Sequence, residues 1–311
     1  MSPSLEAVGL SKKFGDFAAL TDLNLKLQGG KCVGFLGPNG AGKTTTMKIF
    51  TGLISASSGT AMINGVDVSK DKKGALASCT SLIETPEIYS SLTPKEALTM
   101  LCAIRGVPRS ERNKRIDEAI GRVKMTEWEN KKVGSFSKGM KQRINVASTL
   151  LSDPEVIILD EPTTGLDPRG MTEVRDIVKS LDDRLVFMSS HLLGEVTEVC
   201  DEVAMIDHGK LLVYDSIGAV TAKFSGGGGN VDVGFSHPVD QQTISMVGGA
   251  MGVLSVIPGS EHHLLLKFDP KVISQEKLFE GLAAMRLGVT SLKETSSGLE
   301  DAYLSLIKET L

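Results

Sequence analysis

This 311-residue sequence is poor in the residues that build several common protein classes. Its four cysteines, Cys32, Cys79, Cys102 and Cys200, are scattered without a C-x-x-C pair. That spacing argues against a disulfide framework or a thiolate zinc cluster, and leaves the cysteines as small core residues of a reduced, cytosolic protein. Aromatic residues make up only 5% of the chain, too few for platforms that stack single-stranded bases. There is no basic excess, the net charge being -4, so nucleic acid is not an expected partner. No uninterrupted apolar run approaches the ~18 residues of a membrane span. The opening "MSPSLEAVGLSKKF" lacks the charged-then-apolar pattern of a signal peptide.

What is present is ample apolar material, 41% of residues, in a chain long enough for two domains. Strand-like and helix-like segments alternate over the first two thirds, which predicts an α/β fold around a sheet. "KCVGFLG" (31–37), "EVIILDE" (155–161) and "RLVFMSSH" (184–191) read as buried strands, and "EVAMIDHGKLLVYD" (202–215) as a hairpin turning near 207–209. A helical subdomain is expected over about 93–150. "TPKE" starts it, with Thr93 as N-cap, Pro94 at the first helical position and Glu96 closing a capping box. Leu98, Leu101 and Ile104 form its apolar stripe, and a second helix carries Ile116, Ile120 and Val123 on one face.

The expected nucleotide-site domain spans 1–224, and a glycine-rich linker, "SGGGGN", covers 225–230. Beyond it, 231–311 reads as β-α-β-β-α-β closed by the helical segment "LEDAYLSLIKETL", a small ferredoxin-like α+β domain.

The chemistry begins at "GPNGAGKT", which follows an apolar strand and precedes a helix-compatible run. This is the phosphate-loop pattern G-x-x-x-x-G-K-[ST] in its confirming context. Glycines let backbone N–H groups wrap a phosphate chain, and the helix N-terminus adds its positive dipole end. Gly37, Pro38, Asn39, Gly40, Ala41, Gly42, Lys43, Thr44 and Thr45 are therefore the candidate nucleotide-binding residues. Lys43 would reach the β/γ-phosphates and the Thr44 hydroxyl would hold Mg²⁺. "VIILDEP" brings Asp160 and Glu161 to the C-terminal edge of a buried strand, where open α/β sheets bind ligands. Asp160 fits a Mg²⁺ ligand, and Glu161 a group that polarises an attacking water.

"TSLIETPEIYSSLT" (80–93) sets a further question, because an apolar strand runs straight into Glu84. On residue type alone Glu84 reads as a solvated loop carboxylate.

Between and after the two nucleotide motifs stand "SFSKGMKQRINVA", "EPTTGLDP" and "VFMSSHLL". Together they resemble the ATP-binding subunits of ABC transporters, over roughly residues 5–214. The resemblance implies an ATPase (ATP + H2O to ADP + phosphate) that energises transport, with ATP and Mg²⁺ as cofactors. "FSKGM" matches the family's signature loop, usually Leu-Ser-Gly-Gly-Gln. It keeps Ser137 and Gly139, which would contact the γ-phosphate of ATP held by a second subunit, and departs at Phe136, Lys138 and Met140. Ser137 independently suits an N-cap. Asp167 matches the aspartate at the dimer seam, His191 the switch histidine that senses the γ-phosphate, and Phe14 the aromatic that stacks on adenine. Glu84 stands where the family carries a glutamine that touches Mg²⁺ and the water and whose loop meets the permease, so the resemblance makes Glu84 a further candidate catalytic residue and Mg²⁺ ligand. A similar acidic substitution marks bacitracin- and lantibiotic-type exporter ATPases.

The implied partners are a second ATPase subunit, identical or sibling, and a separate transmembrane permease. The implied location is the inner face of the cell membrane. The alternative is a soluble ABC ATPase of translation or DNA repair; those usually carry two nucleotide domains or a long coiled-coil insertion, and neither is visible here.

Overall fold

The computed structural model describes residues 2–84, 88–224 and 229–294, with positions 299, 302, 303 and 306 beyond them. Pro86 and Glu87, positions 225–228 of the expected linker and most of the closing helical segment lie outside the described residues. The chain divides into two compact units, Met1–Ile217 and Gly218–Leu311.

In the first unit the elements run β1 (Ser4–Phe14), β2 (Phe17–Gln28), β3 (Lys31–Leu36), α1 (Lys43–Phe50), β4 (Ser58–Ile63), β5 (Val66–Asp67), α2 (Lys72–Ala75) and β6 (Cys79–Leu82). Three helices follow, α3 (Pro94–Ile104), α4 (Arg109–Arg122) and α5 (Lys138–Leu150). The unit closes with β7 (Val156–Leu159), α6 (Pro168–Lys179), β8 (Leu185–Ser190), α7 (Leu193–Val199), β9 (Glu202–Asp207) and β10 (Lys210–Ser216).

The central sheet has the order β10-β9-β3-β8-β7-β6. All its neighbours are parallel except the β9–β10 hairpin. That hairpin turns through His208 (φ 44) and Gly209 (φ 75), two consecutive left-handed residues that match the right-handed strand twist. Strands β3, β7 and β8 are covered on both faces, which is why they read as continuous apolar runs rather than alternating ones. The register pairs Leu36 with Ser190, Leu159 with Met188, and Leu82 with Leu159. The residues just past those strand ends, Gly37, His191, Asp160 and Ile83–Glu84, therefore share one edge of the sheet.

A second, antiparallel sheet, β2-β1-β4-β5, lies over one face. The core between the sheets gathers Leu5, Leu23, Val33, Phe35, Phe187 and Ile206, with the Phe35 and Phe187 rings 5.1 Å apart. The core on the other face gathers Leu98, Ile120, Ile144, Ile157 and Val174, so the helical segment packs there.

Thr93 caps α3 as its sequence predicts. Its hydroxyl accepts the Glu96 N–H at 3.2 Å while the Glu96 carboxylate accepts the Thr93 N–H at 2.7 Å. The predicted stripe needs correction, because Ile104 is 73% exposed. Steps of three residues drift 60° per step around a helix with 3.6 residues per turn, so Ile104 lies about 120° from Leu98. The buried face is Ala97, Leu98 and Cys102 instead.

Helix α8 (Ile217–Phe224) follows β10, and the second unit runs on through β11 (Gly229–Phe235), α9 (Gln241–Gly248), β12 (Val253–Pro258), β13 (His263–Phe268), α10 (Gln275–Ala284) and β14 (Val289–Glu294). From β11 the order is β-α-β-β-α-β, in an antiparallel sheet ordered β12-β13-β11-β14. Gly229 and Asn230, the last two residues of the expected linker, are already the start of β11. A Cβ at Gly229 would sit 2.3 Å from the Phe268 ring, so the fourth glycine is needed for packing rather than for freedom.

Candidate active site

The phosphate loop leaves β3 at Leu36 and enters α1 at Lys43. Gly42 caps α1 with φ 108 and no side-chain bond, and the first intrahelical bond runs from the Thr46 N–H to the Gly42 carbonyl at 2.9 Å. The N–H groups of residues 42–45 thus end the helix without helical partners, the arrangement that binds anions. Close approach fixes two of the glycines. A Cβ on Gly37 would stand 2.3 Å from the Ile206 carbonyl oxygen, and one on Gly42 would stand 2.8 Å from the Ala19 carbonyl oxygen. Gly40 differs, being in open space with φ +83, so there the backbone conformation alone calls for glycine.

Lys43 is only 5% exposed. Its ammonium donates to the Gly37 carbonyl at 2.7 Å and the Pro38 carbonyl at 3.1 Å, and lies 3.5 Å from Glu161 Oε1. Next along the helix, the Thr44 hydroxyl donates to Asp160 Oδ1 at 3.1 Å. Asp160 is 7% exposed, and the same oxygen accepts the Ser189 hydroxyl at 2.6 Å. Its N–H is held by the Leu82 carbonyl at 2.8 Å, so β6, β7 and β8 all help to aim it.

Glu161 takes a left-handed backbone, φ 45, which costs a residue with a Cβ roughly 1–3 kcal/mol. The Ser189 oxygen accepts its N–H at 2.9 Å and helps to hold that turn. The carboxylate lies among Lys43, the Thr164 hydroxyl (2.8 Å) and His191 Nδ1 (3.1 Å). Burial pushes the Glu161 carboxyl upward, but the Thr164 bond and the His191 and Lys43 charges outweigh it and hold the group below its ordinary range. Glu161 is therefore ionised at neutral pH and can only accept, so His191 donates from Nδ1. An ionised carboxylate backed by an imidazole and facing a buried ammonium can take a proton from water beside a phosphate chain.

A Mg²⁺ ion fits the donor set. Thr44 Oγ1 and Asp160 Oδ1 are both oxygen, as a hard cation requires. The described residues hold no cluster of three or more His, Cys, Asp or Glu that could bind a metal.

Glu84 also has positive φ, 59, but its side chain is 68% exposed. The carboxylate meets Lys48 at 2.5 Å. Lys48 is one helical turn after Thr44, so Glu84 is tied to the phosphate-loop helix and not to the Thr44–Asp160 pair.

Phe14 and Phe17 face each other across the β1–β2 hairpin end, 50% and 63% exposed. Lys12 Nζ lies 4.9 Å above the Phe14 ring. Two residues on, Ala19 touches the Gly42 position, which brings the aromatic hairpin end close to the loop.

Ser137, Gly139 and Asp167 form a second group. Ser137 caps α5 through the Met140 N–H at 3.2 Å, and Asp167 caps α6 through the Gly170 N–H at 3.0 Å. A Cβ on Gly139 would meet the Gly170 Cα at 3.4 Å, so the two helix starts touch backbone to backbone. They line a cavity of 330 Å³ with Trp128, Arg143 and Arg169.

The family model described as ABC transporter matches residues 20–164. YhcH of Bacillus subtilis, an uncharacterized ABC transporter ATP-binding protein, is 33% identical over 314 residues, 100% of this chain and 98% of that one. This chain belongs to the ABC transporter ATP-binding proteins. Another relative is the bacitracin transport ATP-binding protein BcrA of Bacillus licheniformis, 41% identical over 215 residues (68% of this chain, 69% of that one). The fold also matches the solved structure of an ATP-binding subunit of an ABC transporter, with 26% identity and a TM-score of 0.63, over 71% of this chain and 92% of that one.

The ABC ATPase subunit thus gathers Lys43, Thr44, Asp160, Glu161 and His191 at one sheet edge. It holds Ser137, Gly139 and Asp167 together at a second place, and leaves Glu84 on Lys48. Sequence reasoning missed Ser189, which touches both acidic residues, and Thr164. The signal for Ser189 was present: "SS" before His191 puts hydroxyls at the end of an apolar strand, where unpaired polar groups are costly. Among the described residues no helix is long and apolar enough to cross a membrane.

Proposed function

We propose that this ABC ATPase is the motor of an exporter of antimicrobial peptides or related amphiphiles. It would act as a pair of ATPase subunits, identical or sibling, at the inner face of the membrane under a separate permease. The observation that carries the hydrolytic assignment is Glu161, turned on a left-handed backbone to lie between Lys43 and His191.

The N–H groups of the loop 37–42 and of Lys43, Thr44 and Thr45 take the phosphates, and the Lys43 ammonium exchanges its loop carbonyls for phosphate oxygens. Phe14 covers the adenine. Thr44 and Asp160 would hold Mg²⁺, which supplies charge neutralisation to the phosphates. Glu161 orients and deprotonates the attacking water, and His191 keeps Glu161 ionised and senses the γ-phosphate. The water oxygen bonds to phosphorus as the bond to the leaving ADP oxygen breaks. Ser137 and Gly139 of one subunit meet the nucleotide of the other, with Asp167 at the seam.

The permease partner is supported by a groove of 480 Å³ lined in part by Leu53, Ile83 and Arg105. Ile83 precedes Glu84, Leu53 is an exposed apolar side chain (61%), and Arg105 follows another, Ile104 (73%), in the chain. Export of antimicrobials rests on the likeness to the bacitracin relative and on Glu84 standing at the family's glutamine position.

Glu161→Gln tests the motor. ATP binding should persist while hydrolysis falls by at least about a hundredfold. Turnover at the parent rate would remove Glu161 as the base. Deleting the gene and measuring inhibitory concentrations of bacitracin and lantibiotics tests export; unchanged values across the panel would overturn that part.

A further inference from the structure

Glu195, in the first turn of α7, is 3% exposed. Glutamates are rarely so buried unless paired with a cation. Both hydrogen bonds to this one come from hydroxyls: Thr163 donates to Oε1 at 2.6 Å and Ser190 donates to Oε2 at 2.6 Å. Thr163 and Ser190 are each 2% exposed, so the whole contact is dry.

The two hydroxyls belong to different segments. Thr163 lies two residues after Glu161, and its carbonyl accepts the Leu166 N–H at 3.2 Å, just before Asp167. Ser190 ends β8, immediately before His191, and its oxygen accepts the Leu192 N–H at 2.9 Å. A third buried bond, from Gln142 Nε2 to the Pro162 carbonyl at 2.8 Å, ties α5 to the same segment as Thr163. A continuous polar path therefore runs from α5 through Gln142, Pro162 and Thr163 to Glu195, and on through Ser190 to His191, which closes on Glu161.

We infer that Glu195 is a positioning residue for hydrolysis, fixing the His191–Glu161 contact and passing displacements of the 162–167 segment to it. The inference rests on the proposed roles of Glu161 and His191. Its physical basis is stiffness. Two charge-assisted bonds to one carboxylate leave neither segment free to slide without losing a bond where no water can replace it. When a second subunit presses on Asp167, the shift reaches His191 through this carboxylate. Glu195 is buried behind the site with both carboxylate oxygens taken by hydroxyls, so ATP affinity is not its concern.

The test uses the full-length chain, with steady-state ATPase rates and equilibrium binding of a fluorescent ATP analogue. Glu195→Ala should lower kcat by roughly ten- to a hundredfold, the scale of a misplaced catalytic group. The KM for ATP and analogue binding should stay within about twofold, as for an interaction used only at the chemical step. Glu195→Gln should recover much of the rate, since a hydroxyl can turn round to accept from the amide. His191→Ala combined with Glu195→Ala should be no slower than His191→Ala alone, because both act through one contact. Multiplying losses in that double variant, or a defect confined to KM, would overturn the inference. If Glu195→Ala fails to fold, Thr163→Val carries the same comparison with a smaller change of shape; an unchanged kcat there overturns it equally. A His191→Ala chain that hydrolyses ATP at the parent rate would instead overturn the site assignment, and this inference with it.

Discussion

Replacing Ser189 by alanine removes one oxygen atom and should damage both acidic residues of the site. The side chain is 0% exposed, donates to Asp160 Oδ1 at 2.6 Å and accepts the Glu161 N–H at 2.9 Å. Losing a hydrogen bond to an ionised carboxylate costs roughly 1.5–3 kcal/mol, and orphaning a partly buried N–H roughly 1–3 kcal/mol. The two losses belong to one network and do not add in full, so about 3 kcal/mol is the expected total. The chain's one tryptophan, Trp128, packs against Phe136 in the first unit, with rings 6.0 Å apart. Its fluorescence therefore reports the unfolding of that unit alone. With a urea slope of roughly 3 kcal/mol/M, the midpoint should fall by about 1 M. ATP turnover should fall by about tenfold or more, because Glu161 loses the bond that holds its left-handed turn. A midpoint within about 0.2 M of the parent, together with full turnover, would refute the claim that Ser189 positions Asp160 and Glu161.

Gly37→Ala and Gly40→Ala should differ in kind. The first drives a Cβ into the Ile206 carbonyl and should abolish nucleotide binding, whereas the second meets no atom and should cost about 1–2 kcal/mol of backbone strain, read as roughly a tenfold weaker affinity in a titration with fluorescent ATP. Glu84→Ala should hardly change stability, since an exposed ion pair contributes about 0–1 kcal/mol, yet should lose coupling to transport; Glu84→Gln should keep ATPase activity. Normal transport with Glu84→Ala would return the residue to a surface role. Because Glu161 is held below the ordinary carboxylate range, its ionised form and the activity that depends on it should persist as pH falls through that range, whereas the stability its charge contributes is complete only above that range and is lost as pH falls from it to the lower native value. Thr164→Val removes a bond that lowers it, so the acid limb of the pH–rate profile should move to higher pH.

The parts of the fold legible in the sequence were those fixed by local chemistry. The phosphate loop, the caps at Thr93 and Ser137 and the turn at His208–Gly209 depend on a few adjacent residues, and they stand where the sequence puts them. Ile104 was misread because a three-residue repeat is close to, but not on, the helical period. The antiparallel sheet of β1, β2, β4 and β5 left little trace, because its pairings join residues as far apart as Leu5 and Ile63. Within the site, Lys43, Thr44, Asp160 and Glu161 were legible from spacing. Glu195 was not: a single glutamate on a short helix reads as surface, and only the fold shows two hydroxyls closing over it. The Glu84–Lys48 pair was hidden for a related reason, since it joins residues 36 apart across a sheet edge.

The contact between Gly139 and Gly170 limits how such subunits can diversify. A Cβ on Gly170 would lie 2.7 Å from Asp167 Oδ1, and one on Gly139 would make an ordinary contact, 3.4 Å, with Gly170 Cα. A side chain at Gly170 would have to displace the Asp167 carboxylate that caps the same helix, so Gly170 is the more constrained of the two. If two subunits meet here as proposed above, the choice between sibling and identical partners would be written beside this contact, at exposed or half-exposed positions such as Lys138, Met140 and Arg169. Two of these, Lys138 and Met140, are where the chain departs from the common signature sequence, so its own pairing code is to be sought there first.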